Sequence, residues 1–430
     1  TEFYYWVTIP LMFLIHIGFC LYEVSVSRHK NHMHNLMKNA MLIPVVTLSF
    51  FFSGFWIYFA LPQWPLGDIA SGTGALPWDL TMGSNYQDHI MGVFWAAFLL
   101  FAWTAASIVS GAVIERIRTG AFLILAVLVG SITWVIDAAW GWSPTGWMVT
   151  ELGYHDAYAS GVIHGICGGA ALGILVHLGP RIGKFAPDGT PRNINPHNPW
   201  FAVIGLFIIY AGFWGFYAAC NVPILDFTGD GSVFTATTIY LTPTTLSTIT
   251  FNFLLSLAGG LLAGYTLSKG DAYWTFSGGL AGIIAASAGN DLYHPLQAFF
   301  IAIVGVWIAY RMHFWVERKF KIDDAVGAVA VHGYAGSFGV IICGFMLWGY
   351  PSLADGSVTI NPLGQIIGAI IMFVVLGFIP TYIVAGILKA MGVLRIPREL
   401  ELAGLDYIEE QTLDADSKEI KDAELAEVNN

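Results

Sequence analysis

The chain has 430 residues, of which 56% are hydrophobic and 11% charged, with a net charge of −11. Soluble domains carry about 25% charged residues, so this composition excludes an ordinary soluble fold and places the chain among polytopic membrane proteins. The acidic balance says little about partners, because the acids gather in loops and in the tail, and nothing in the sequence points to nucleic acid.

Eleven apolar segments follow one another, near 3–25, 38–61, 88–110, 120–142, 157–178, 199–221, 245–267, 273–290, 293–312, 325–349 and 362–391. The first is long enough to span a bilayer at ~20 residues per crossing. Turn-rich loops containing Gly, Pro and Asp separate most of the segments. The chain starts at Thr1 without a basic-then-apolar leader; one removed before this residue is compatible with the sequence. The 48 glycines suit tight helix packing in a membrane. Cys20, Cys167, Cys220 and Cys343 sit in apolar runs without metal-ligand spacing and read as buried free thiols.

Basic residues set an orientation. Arg28, Lys30 and Lys38 follow the first segment, Arg116 and Arg118 the third, and Arg181, Lys184 and Arg192 the fifth. Lys269 follows the seventh segment, and Arg311, Arg318, Lys319 and Lys321 the ninth or its end. Lys389, Arg395, Arg398, Lys418 and Lys421 complete the 18 Lys and Arg at the end of the chain. By the positive-inside rule the N-terminus is outside and the C-terminus cytoplasmic, in a cell or inner membrane. No soluble domain intervenes. Residues 1–394 form a transmembrane domain, and 395–430 a cytoplasmic tail, acidic and poor in aromatics, expected to be mobile unless a partner orders it.

Two stretches repeat each other, DAYASGVIHG at 156–165 and DAVGAVAVHG at 324–333. They fall on the fifth and tenth segments, five apart, so the copies run in opposite directions. That pattern belongs to inverted-repeat transporter folds with a midplane site. His164 and His332 then enter from opposite faces and meet near the middle. A single histidine there would be read as a satisfied core residue. A symmetry-related pair of costly intramembrane groups points to a pathway or proton relay. Neutral imidazole offers one donor and one acceptor and exchanges protons near neutrality. His is also a common haem ligand, but no further paired His lie on facing segments. No cofactor, metal site or catalytic constellation is expected, and the chain does not read as an enzyme.

Asp156 and Asp324 open their helices as N-caps; Asp156 could also help to place a cation above His164. Phe101, Trp140 and Phe216 lie toward the outer ends of their segments, where aromatic faces can hold a small cation. Asp137 is an intramembrane acid, either satisfied by a neighbouring helix or able to raise local cation concentration.

Several stretches taken together resemble the ammonium transporter family of Amt, Mep and Rh proteins. They are CLYEVSVSRHKNHMHNLMKN (20–39), GAVIERIR (111–118), AAWGW (138–142), the two His segments, NPHNPWFAVIGLFIIYAGFWGF (195–216), VHGYAGSFG (331–339) and RIPRELELAGLD (395–406). The resemblance runs over roughly 10–410 in order. It implies an all-α protomer of eleven transmembrane helices, an inverted 5+5 repeat plus one, assembled as a homotrimer with a pore in each protomer. It further implies an ammonium site at Phe101, Trp140 and Cys220 supported by Asp156, a stacked gate of Phe101 and Phe216, and a twin-His pore of His164 and His332. Family members pass ammonia with or without a proton, and their tails often bind PII regulators. This chain departs from the family pattern at Cys220, where a serine is usual, at Tyr217, where Asn is usual, and at Gly327, where Asp is usual. Some members are ammonium sensors joined to signalling domains, so a slow or non-transporting sensor is the alternative reading.

Overall fold

A computed structural model of the chain describes residues 2–70, 91–226 and 233–406. Helices follow the apolar segments one for one. They are α1 (Glu2–Val26), α2 (His29–Ala60), α3 (Met91–Ala112), α4 (Thr119–Gly141), α5 (Ser160–Leu178), α6 (Pro199–Ala219) and α7 (Leu246–Ser268). After these come α8 (Ala272–Ser287), α9 (Pro295–Phe320), α10 (Val329–Met346) and α11 (Pro362–Ala390). Among the described residues, ten helices are long and apolar enough to cross a membrane. The eleventh, α8, has 16 residues and falls short of that length by itself. Residues 88–90 of the third expected segment lie outside the described residues.

Two features had no signal in the hydropathy. Between α6 and α7 the chain forms a small antiparallel sheet, in which β1 (Asn221–Asp226) pairs with β2 (Val233–Thr238), and β2 with β3 (Pro243–Thr244). The register sets Asn221 opposite Thr238. The second is a set of wide, π-helical turns, at Phe50–Gly54 in α2, Val129–Thr133 in α4 and Ile371–Phe378 in α11. Two more open the repeated segments, at Ser160–Gly165 and Val329–Tyr334. Such turns are rare and concentrate at functional sites; here each of the last two carries one of the repeated histidines, His164 and His332.

The basic loops meet on one face. Arg28 Nε donates to Glu115 Oε2 at 2.7 Å, and Lys184 pairs with Glu317. Buried Asp323 accepts from Arg181 Nε at 2.9 Å, while its carboxylate lies 3.9 Å from Arg116 Nη2. Burial alone would raise the Asp323 carboxyl, but the guanidinium groups of Arg116 and Arg181 outweigh it and hold the group well below the usual carboxylate range.

The expectation of a mobile tail from residue 395 is corrected on this face. Residues 394–406 dock by backbone and side-chain bonds: Arg118 N donates to Leu394 O at 3.0 Å and Ile396 N to Arg116 O at 3.0 Å. Asp406 accepts from Met33 N and His34 N at 2.8 and 2.9 Å. Glu401 is buried, and its carboxylate binds Ile182 N and Arg395 Nη2 at 2.7 Å each. Low aromatic content hid this docking because backbone and carboxylate bonds make much of it, with Leu394 and Ile396 buried beneath them. Residues 407–430 lie outside the described residues.

Candidate functional site

The two copies of the repeat are built alike. Asp156 caps its turn by accepting from Ser160 N, Gly161 N and Val162 N at 2.7, 2.7 and 2.9 Å. Asp324 accepts from Ala328 N, Val329 N and Ala330 N at 2.8, 2.8 and 3.4 Å. Three residues after each aspartate the backbone turns left-handed, at Ala159 (φ 71°) and Gly327 (φ 69°). A glycine at 327 therefore suits its conformation, whereas Ala159 holds it at a cost of ~1–2 kcal/mol.

Beyond each histidine, glycines let the backbones touch. A Cβ at Gly168 would lie 2.1 Å from Gly333 Cα, and one at Gly336 would lie 3.0 Å from Gly165 N. The residue after one histidine thus meets the fourth residue after the other, and the pairing is reciprocal. Two segments running in opposite directions about a two-fold axis give that pattern.

The histidines consequently meet. His164 Nδ1 lies 3.0 Å from His332 Nδ1, and the ring centroids are 5.1 Å apart. The pair is buried, and His164 Nε2 has no partner among the described residues. His164 stacks on Phe216 at 5.6 Å and 18°, and Phe216 meets Phe101 at 4.8 Å. The Phe101 and Phe216 planes are 85° apart, so the two rings close edge to face instead of stacking. On the other side of the pair, a cavity of about 10 Å³ is lined by Phe19, Tyr22, Ile108, Leu280, Val331 and His332. That is room for about one water-sized molecule. Beyond it, a cleft of about 300 Å³ opens among Arg181, Lys184, Asp271, His313, Glu317 and Asp324.

The remaining expected site residues divide. Trp140 packs against Trp64 and Trp147, not against Phe101. Of the two tryptophans on Phe101, Trp134 at 6.3 Å and Trp142 at 5.1 Å, Trp142 is the nearer, and its Nε1 donates to Asp156 O at 2.6 Å. The helix ends at Gly141, so Trp142 leaves helical phase and turns inward where periodicity gave no reason to place it. Cys220 spends its thiol on the Phe216 carbonyl at 3.2 Å. Tyr217 turns away from the Phe101–Phe216 pair, stacking on Tyr158 at 4.2 Å and bonding Ser287 Oγ at 2.6 Å. The Asp156 carboxylate is wholly buried and also accepts from Tyr154 OH at 3.1 Å, so it is a fully engaged cap. Asp137 is wholly buried and neither of its oxygens has a hydrogen-bond partner among the described residues. It therefore lies inside the bundle, without the helix partner one expectation gave it.

A multi-pass helical bundle with an inverted repeat, an aromatic closure and facing histidines defines the class as a membrane transport fold. Residues 3–414 match the sequence profile of the Ammonium Transporter Family, and the chain belongs to that family. It is 32% identical to ammonium transporter Amt2 of Archaeoglobus fulgidus, over 93% of this chain and 84% of that protein. It is 30% identical to ammonium transporter Amt1 of Methanocaldococcus jannaschii, over 94% of each. Among solved structures, a sensor Amt protein superposes with a TM-score of 0.80 at 26% identity, over 95% of this chain and 97% of that one. Candida albicans Mep2 has the same fold, with a TM-score of 0.73 at 20% identity, over 93% and 86%.

Proposed function

We propose that the chain takes ammonium at the Phe101 side and passes ammonia, with or without its proton, across the His164–His332 pair. The single observation that carries this reading is the 3.0 Å contact between the two Nδ1 atoms. Only one proton fits between them, so one ring donates and the other accepts. The donor ring then has a lone pair at Nε2, and the acceptor ring has N–H there. A proton arriving at the first Nε2 pushes the shared proton across and releases another from the second ring. The tautomers end reversed and must reset before the next passage. The apolar cavity beyond His332 suits neutral ammonia, and the acidic and basic cleft after it suits reprotonation.

Ammonium at the entrance lies near Phe101 and Trp142, with Cys220 and Trp140 as outer neighbours. Phe101 and Phe216 act as the gate, and Asp156 supports the turn that presents His164. The proposal includes eleven crossings, with α8 as the eighth. Its support is that Asp271, before α8, lines the cleft at the basic face, whereas Asn290, after α8, bonds Tyr217 OH at 2.9 Å near the far end of α6. It also includes a homotrimer, an outside N-terminus, a cytoplasmic C-terminus in the cell membrane, and a PII-type or fused signalling partner at residues 395–430.

The sensor reading keeps one specific support besides the structural likeness. The 394–406 segment grips the turns after α1, α3 and α5, a mechanical link between the bundle and a partner bound at the C-terminal region. Ammonium uptake by the purified chain in proteoliposomes separates the two readings. Uptake is the result expected; saturable ammonium binding without flux or current would replace transport with sensing.

A further inference from the structure

We propose that His29, His32 and His197 form a binding site for a divalent transition-metal ion of the Zn²⁺, Ni²⁺ or Cu²⁺ class, on the basic face and apart from the pore. His29 lies in the 3₁₀ turn His29–Asn31, His32 begins the α-helical part of α2, and His197 precedes α6 by two residues. Sequence spacing conceals the set, since His197 is 165 residues beyond His32.

The fold brings the three rings to the corners of a nearly equilateral triangle, with centroids 5.1, 5.2 and 4.9 Å apart. One ligand nitrogen from each ring lies within 4.8 Å of the other two. Tetrahedral zinc with bonds of ~2.0–2.1 Å needs nitrogens about 3.4 Å apart, a closure within reach of small rotations of the exposed His29 and His197 rings. Imidazole sets of this kind suit Zn, Cu and Ni rather than Ca or Mg.

The scaffold behind the rings is fixed. Asn198 N donates to Ser25 O at 3.1 Å, and Asn198 Oδ1 caps Phe201 N at 3.3 Å, which seats His197 beside the end of α1. One ring nitrogen of His32 reaches Ser27 O at 3.2 Å. That bond fixes the tautomer and leaves the other nitrogen to an ion, the outer-shell arrangement of many metal-binding histidines. The flanking cations are already occupied: Arg28 by Glu115, and Lys30 Nζ by Glu401 O at 2.9 Å. Three protein ligands leave a fourth position for water. A bound ion would pin the α1–α2 turn to the start of α6. The same turn receives the C-terminal segment, through Asn31 Oδ1 on Leu405 N at 3.0 Å.

The test uses the full chain without a histidine tag, stripped with a chelator and titrated with Zn²⁺ by calorimetry. One ion per protomer is expected, with affinity at least tenfold lower in His197→Ala and no stoichiometric binding in the His29→Ala/His32→Ala/His197→Ala variant. His177→Ala, whose ring packs on Tyr382 of α11 and is no part of the triangle, leaves binding unchanged. Cu²⁺ electron paramagnetic resonance on the native chain needs no variant and reads three nitrogen ligands. Absence of stoichiometric Zn²⁺ binding, binding that survives the triple substitution, or fewer than three nitrogens on Cu²⁺ overturns the proposal.

Discussion

The first and second copies of the repeat share a cap, a left-handed residue, a wide turn and two glycines, yet they sit in opposite surroundings. Around Asp156 everything is sealed: Tyr154 OH fills its last acceptor site, Tyr240 OH takes the Asp156 N–H at 3.0 Å, and Trp142 covers the backbone carbonyl. Around Asp324 the wall opens. The residue is partly buried, faces the 300 Å³ cleft, and has His313 Nδ1 at 3.9 Å from its carboxylate. The shared parts are what a wide turn needs to present a histidine at a helix crossing. The surroundings differ: aromatic and tyrosine side chains seal the first copy, whereas a cleft lined by charged and aromatic side chains opens beside the second.

The most damaging way to break the symmetry is at the crossing. Gly168→Val puts side-chain atoms where a single Cβ already comes within 2.1 Å of the Gly333 backbone. Neither backbone can yield without parting the histidines, and overpacking alone costs about 1–3 kcal/mol. Uptake is expected to vanish; uptake near the native rate would show that the histidines need no contact.

The caps come next. Asp156→Ala leaves three buried N–H groups without acceptors, while the Tyr154 hydroxyl keeps Met372 Sδ at 2.9 Å; at about 1–3 kcal/mol for each group left unsatisfied, a loss of about 3 kcal/mol or more is expected. Asp324→Ala, beside the cleft where water can substitute, is expected to cost about 1–2 kcal/mol, the range of an ordinary cap. Thermal unfolding of the two variants in one detergent checks the order. Equal shifts would mean the two environments do not differ as described.

The aromatic closure at Phe101 and Phe216 lies against His164 of the first copy, so the tryptophans sharpen the comparison further. Trp142→Leu should weaken ammonium binding tenfold or more, since a desolvated cation–π contact is worth ~2 kcal/mol and each ~1.4 kcal/mol is a decade. Trp140→Leu should change it less than twofold. Calorimetric titration decides, and the reverse ranking would return Trp140 to the site. The smallest effect is at the left-handed pair: Ala159→Gly should stabilise by up to ~1 kcal/mol, and Gly327→Ala should destabilise by ~1–2 kcal/mol. Their denaturation midpoints should move in opposite directions.

The sequence told most where chemistry is costly. Two histidines in apolar runs, each eight residues after an aspartate, have few explanations, and the caps and the meeting of the rings were legible from that spacing. The apolar segments were legible for the same reason, because a bilayer demands length. What stayed hidden depended on phase or distance. Trp140 and Trp142 differ by two residues at a helix end, and only the chain's exit from helical geometry decides which ring reaches Phe101. The edge-to-face closure of Phe101 and Phe216 is a side-chain angle that spacing does not encode. The seating of residues 394–406 rests on backbone pairing and buried carboxylates, which composition reads as a solvated tail. The histidine triangle joins loops far apart in the chain, which no local pattern could connect.

The claim that the His164–His332 contact carries the proton is tested most directly by charge movement. Proteoliposomes on a solid-supported membrane, given a step in ammonium concentration, should produce a transient current with the native chain. His164→Ala and His332→Ala should each reduce that current at least tenfold while the protein remains folded. A current of native size in either variant would contradict the account.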